Sequence, residues 1–144
     1  MRNIGMCLVP YCREDIIISH MMNKKKPSIL IVDDDRITRD SLARYLDDEY
    51  MTFKASDGIE ALNLLRENNE IAVVLSDVDM PSMDGFELLH SIRDEIKDVK
   101  LIFVSSSSAV DVKTSGAYDY LPKPIDLNRL TMTLRNALGS KEAK

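Results

Sequence analysis

The chain has 144 residues, 44% of them hydrophobic and 30% charged, with a formal net charge of −5 at pH 7. That length and balance fit a single soluble globular domain with a sizeable core. No apolar run approaches the ~20 residues that a membrane-spanning helix needs, and the negative charge argues against a surface built for nucleic acid or anionic lipid.

Residues 1–27 differ from the rest. An apolar stretch from Ile4 to Val9 is cut short by Pro10, Arg13, Glu14 and Asp15, so it does not make an export signal. Cys7 and Cys12 have no partners at zinc spacing and are expected as free thiols in a reducing cytoplasm. The basic run Lys24-Lys25-Lys26-Pro27 precedes the first strong strand, and residues 1–27 are expected to be a poorly ordered N-terminal extension. Met21-Met22, directly before the folded pattern, makes residues 1–20 a candidate dispensable segment or upstream start.

Ser28 to Val32 is short and continuously apolar and breaks into Asp33-Asp34-Asp35, as a strand buried on both faces does at its carboxyl end. From Arg36 to Asp48, Thr38, Leu42, Tyr45 and Leu46 recur at helical spacing. Met51 to Ala55 is a second strand, and Asp57 and Glu60 are placed to cap the next helix reciprocally; Ile59, Leu62 and Leu65 form its stripe. Ile71 to Ser76 is the third strand. It stops at Asp77, passes a turn set by Pro81, and opens a helix from Asp84 to Glu95 with Phe86, Leu89, Ile92 and Ile96 facing inward.

Val99 to Val104 is the fourth strand, ending in a run of serines, Ser105 to Ser108. Residues 109–116 offer at most a short helix stopped by Gly116. Tyr118 to Leu121 is the last strand and ends at Pro122-Lys123-Pro124; Asp126 then caps a helix carrying Leu127, Leu130, Leu134 and Leu138, closed by Gly139. Five strands alternating with helices imply a doubly wound parallel sheet with right-handed crossovers. The domain is expected over 28–139, with 140–144 a polar tail and output carried by the domain's own surface.

Asp33 and Asp34 follow the first strand, Asp77 the third, and Lys123 the fifth. Alone, the acids suit a solvated helix N-terminus, the lysine a surface position and the serines a loop. Together at strand ends they sit where open α/β sheets bind ligands. If the first and third strands are neighbours, three carboxylates crowd together and require a compensating cation or proton. Hard oxygen donors in a hydrated site suit Mg²⁺ beside a phosphate, and a lysine with the Ser105 hydroxyl suits a phosphoryl group, with Asp77 as the nucleophile toward phosphorus.

These residues resemble the receiver domains of two-component response regulators. The resemblance runs from Ser28 to Leu138 through Ile-Leu-Ile-Val-Asp33-Asp34-Asp35, Asp57-Gly58-x-Glu60-Ala61-Leu62, Ser76-Asp77-x-x-Met80-Pro81-x-Met83-Asp84-Gly85 and Tyr120-Leu-Pro-Lys123-Pro124. It implies the flavodoxin-like strand order 2-1-3-4-5. It also implies that Asp77 is the phospho-acceptor and that Asp34 and Asp77 are carboxylate ligands of Mg²⁺. Asp79 would supply a backbone carbonyl ligand, and Asp33 would act through metal-bound water. Ser105 and Tyr120 match the switch hydroxyl and the switch aromatic, Lys123 the lysine that bonds the phosphoryl group, and Lys123-Pro124 a cis peptide.

One departure is visible: between Ser105 and Gly116 the chain is shorter than the family spacing by about one helical turn. The fourth helix is therefore expected to be truncated, on a surface that many relatives use to dimerise or dock partners. The implied partners are a sensor histidine kinase or phosphotransfer protein and an unidentified downstream protein, with the domain a monomer or weak homodimer. Two alternatives stand beside this reading. One is a receiver-like adaptor that binds partners without phosphorylation; the other is a haloacid-dehalogenase-like phosphatase, suggested by Asp77-Val78-Asp79 and opposed by the absence of a cap domain and of a downstream acidic pair.

Overall fold

The computed structural model describes residues 26–96, 98–106 and 115–139. The expected N-terminal extension before Lys26, the truncated helix within 109–116 and the tail at 140–144 lie largely or wholly outside these residues. Among the described residues the elements are β1 (Ser28–Val32), α1 (Arg36–Leu46), β2 (Met51–Ala55), α2 (Gly58–Glu67), β3 (Ile71–Ser76), α3 (Gly85–Glu95), β4 (Lys100–Ser105), β5 (Asp119–Pro122) and α4 (Leu127–Gly139). None of the four helices is long and apolar enough to cross a membrane.

The strands form one sheet in the order β2-β1-β3-β4-β5, all parallel, as expected. Because side chains alternate across a strand, the sheet divides its apolar residues between two cores. On one face Ile29, Ile31, Val73, Leu75, Ile102 and Val104 pack against Leu42 and Leu46 of α1 and Leu130 and Leu134 of α4. On the other, Leu30, Val32, Val74, Leu101 and Phe103 pack against Leu62 and Leu65 of α2 and Leu88 and Ile92 of α3. Helices therefore cover both faces, and β1, β3 and β4 read as unbroken apolar runs because neither face meets water.

The expected stripes are buried except for a few residues, most of them in the first turns. Phe86 is 40% exposed, its ring tilted on Phe103 with centroids 5.0 Å apart, and Leu88 takes the fully buried place. Within α3, which Asp84 caps, Gly85, Leu88, Leu89 and Ile92 make the inward stripe, and Phe86 sits at its flank. Ile59 and Leu127, each in the first turn of its helix, are likewise exposed; Ala61 joins Leu62 and Leu65 in the core, and Leu130 and Leu134 are buried as expected. Tyr45 is also exposed, its hydroxyl 3.3 Å from Thr131 Oγ1, and α1 ends at Leu46, before Asp48. Thr38 serves the cap and not the core: its backbone N–H donates to Asp35.

The caps fix where each helix begins. The Asp84 carboxylate accepts from Glu87 N at 2.9 Å and the Glu87 carboxylate from Asp84 N at 3.0 Å, a complete reciprocal box. At α2 the arrangement is displaced by one residue. Asp57 accepts from Glu60 N at 2.8 Å, but Glu60 accepts from Ser56 N at 2.7 Å and from Ser56 Oγ, and not from Asp57 N.

Candidate functional site

β1 and β3 are neighbours, with Val32 opposite Ser76, so the residues that follow them emerge side by side at the carboxyl edge of the sheet. The Asp77 N–H donates to the Val32 carbonyl at 3.0 Å, extending the ladder one step and fixing where its side chain leaves. Carboxylate oxygens of Asp33, Asp34 and Asp77 lie within 4.8 Å of one another. From the far side, β5 delivers Lys123, whose backbone N–H donates to the Ser105 carbonyl at 2.9 Å. Its Nζ sits 3.0 Å from Asp33 Oδ2 and 3.3 Å from Asp77 Oδ2. The Lys123–Pro124 peptide is cis, as the resemblance implied.

Asp33 is the most enclosed of the acids, 3% exposed. Its Oδ1 accepts from Asp35 N at 2.8 Å, its Oδ2 takes the lysine, and its backbone carbonyl accepts from Arg39 Nη1 at 2.7 Å. Asp34 is exposed and Asp77 half-buried. Asp79 is exposed in the loop after β3, outside the carboxylate cluster, and Ser105 is buried at the end of β4. Tyr120 is half-buried on β5, opposite Phe103, and its hydroxyl donates to the Ser105 carbonyl at 3.2 Å. Sequence reasoning did not single out Arg39, since its contact depends on how α1 folds back over the β1 turn.

Burial pushes the Asp77 carboxyl above its ordinary pKa, opposed by Lys123 and reinforced by the Asp33 charge. Burial alone would lower Lys123; its contacts to Asp33 and Asp77 outweigh it and the net shift is upward. A carboxyl that holds its proton more tightly in the folded than in the unfolded chain contributes stability below its unfolded pKa, and loses it as pH rises through the folded value. Asp77→Asn is therefore expected to melt at a higher temperature than wild type at pH 7 without metal. The difference should shrink toward zero below a pH of about 3.9, the unfolded carboxyl value. Thermal melts of both proteins across pH check this, and a variant less stable than wild type at pH 7 would contradict it.

Three carboxylates against one ammonium leave an excess of negative charge that a divalent cation would balance. The donors lie close enough together to face one cation, and they are all hard oxygens, the kind Mg²⁺ prefers. The residues fit the ion.

The family model of the response regulator receiver domain matches residues 29–135. The chain belongs to that family. It is 41% identical over 115 residues to the response regulator MprA of a Mycobacterium species, covering 76% of this chain and 50% of the relative, so it spans about half the length of the curated relatives it matches. Among solved structures, a response regulator receiver protein from Pseudomonas putida superposes with a TM-score of 0.73 at 30% identity, over 78% of this chain and 98% of that one. The chemotaxis protein CheY4 of Vibrio cholerae does so with a TM-score of 0.70 at 30% identity, over 77% and 98%. The chain is a receiver domain, a signalling module, and its carboxyl-edge acids stand at the end of the sheet where ligands of open α/β folds bind.

Proposed function

We propose that this receiver domain accepts a phosphoryl group on Asp77 from a sensor histidine kinase or phosphotransfer protein, with Mg²⁺ as cofactor, and that the modification switches a protein-docking surface. The observation that carries the reading is the Asp77 carboxylate, half-buried beside Asp33 and Asp34 with the Lys123 ammonium 3.3 Å away. One Asp77 oxygen forms the bond to phosphorus while the bond from phosphorus to the donor's imidazole nitrogen breaks, leaving a neutral imidazole once that nitrogen is protonated. Lys123 holds a phosphoryl oxygen as a point charge, and the Ser105 hydroxyl donates to another.

The Asp34 and Asp77 carboxylates and the Asp79 carbonyl would hold Mg²⁺, with Asp33 acting through water. Bound there, the ion offsets the charge of the incoming phosphoryl group. The Ser105 hydroxyl, drawn toward the phosphoryl group, shifts the β4 end to whose carbonyl Tyr120 is hydrogen-bonded at 3.2 Å, and the population of Tyr120 conformations follows. We place the receiver unit at 28–139, with 1–27 and 140–144 outside it, acting in the cytoplasm as a monomer or weak homodimer that contacts neither nucleic acid nor membrane by itself.

The experiment is phosphotransfer from a labelled donor followed by borohydride, which reduces an aspartyl phosphate to homoserine. Peptide mapping is expected to find homoserine at position 77. Homoserine at another position, or steady release of phosphate from a monoester with no trapped acyl phosphate, would overturn the proposal, the second result in favour of a phosphatase.

A further inference from the structure

The Asp33 carbonyl lies just past β1, beyond the bonds from Asp77 N to the Val32 carbonyl and from Asp33 N to the Ala55 carbonyl that close its two ladders. Its hydrogen bond comes from a side chain: Arg39 Nη1 reaches back across six residues from the first turns of α1 and donates at 2.7 Å. A guanidinium bond of that length is charge-assisted and directional. Every other polar group of Asp33 is also engaged. Its N–H donates to the Ala55 carbonyl at 3.2 Å, and its two carboxylate oxygens meet Asp35 N and Lys123 Nζ. Rotation of the Asp33–Asp34 peptide would break the Arg39 bond and redirect both acids.

We propose that Arg39 is a positioning residue for the cation site: by holding the Asp33 carbonyl it fixes the β1–α1 turn so that the Asp33 and Asp34 carboxylates converge with that of Asp77. The inference rests on the reading of those acids as the Mg²⁺ site. Its sign can be separated from that of simple electrostatics. Arg39 is itself a cation beside the acids, so deleting its charge alone would tighten Mg²⁺ binding. Deleting its grip on the turn would loosen binding, and loss of an outer-shell contact that orients a metal site typically weakens affinity by about tenfold or more.

The test is titration of the unphosphorylated, isotopically labelled protein with MgCl₂, following amide chemical shifts, for wild type, Arg39→Ala, Arg39→Gln and Arg39→Lys. Thermal melts are recorded beside each titration. Arg39→Ala is expected to weaken Mg²⁺ binding by about tenfold, with Arg39→Lys between it and wild type. Tighter binding in Arg39→Gln, or equal binding in all four with only the melting temperature lowered, would overturn the positioning role. Should Arg39→Ala fail to fold, Arg39→Gln and Arg39→Lys carry the comparison. Folded wild type that takes up no Mg²⁺ would sink the cation site itself and this inference with it, whereas wild-type binding matched by the variants sinks this inference alone.

Discussion

Lys123→Met is expected to destabilise the metal-free protein by about 2 kcal/mol at neutral pH. The substitution keeps most of the side-chain volume, so packing is not the source. It strands the Asp33 carboxylate, whose side chain is 4% exposed, and removes the ammonium that lies between it and Asp77. Breaking a fully buried pair costs about 3–5 kcal/mol, and the lysine's 24% exposure places this pair below that range. The pH dependence has a defined sign. Without the lysine the Asp77 carboxyl loses the charge that opposes its upward shift and takes its proton more readily, so the deficit relative to wild type shrinks as pH falls through the carboxylate range.

Mg²⁺ supplies a second signature of the same variant. An ion that binds only the folded state adds RT ln(1 + [L]/Kd), about 2.7 kcal/mol at a hundredfold excess over Kd. In Lys123→Met it also replaces the missing cation, so the variant should gain more stability from Mg²⁺ than wild type does. Urea unfolding with and without the ion measures both effects. A variant as stable as wild type, with an equal response to Mg²⁺, would show that the lysine contacts are weak surface pairs.

Gly85→Ala is expected to cost about 2 kcal/mol, although alanine is the better helix former. Gly85 opens α3 directly under the β3 turn, and its N–H donates to the Val78 carbonyl at 2.8 Å. A Cβ there would stand 2.5 Å from the Asp77 carbonyl oxygen, 2.9 Å from Phe103 Cε1 and 3.0 Å from Val78 Cα. Two of these three neighbours are backbone, so relief requires the turn that carries Asp77 to move. At an exposed site in a helix interior, the same change would stabilise by up to about 1 kcal/mol. Chemical denaturation separates the two outcomes by sign, and a stabilised variant would contradict the close packing described.

The two results bear on what could be read before the structure. Asp33, Asp34, Asp77 and Lys123 were legible because each follows an apolar run long enough to mark a strand end, and a parallel sheet aligns its strand ends on one edge. The lysine's partner was not. It lies closer to Asp33 than to Asp77, which depends on how far the buried Asp33 side chain turns back beneath the edge. Gly85 was legible as part of a motif, but the 2.5 Å approach to the Asp77 carbonyl belongs to the packing of α3 on β3 and β4. Phe86, Ile59 and Leu127 were counted in their stripes because hydrophobicity marks the stripe but not which first-turn residue the sheet covers. Arg39 was not legible, because a side chain that reaches a backbone carbonyl six residues away leaves no periodic signal.

Intact mass after incubation with a small phosphodonor tests most directly whether Asp77 is a Mg²⁺-dependent phospho-acceptor. Wild type with Mg²⁺ should gain one phosphoryl group, and wild type without the ion and Asp77→Asn with it should gain none. No increment in folded wild-type protein, or an equal increment in Asp77→Asn, would contradict the account.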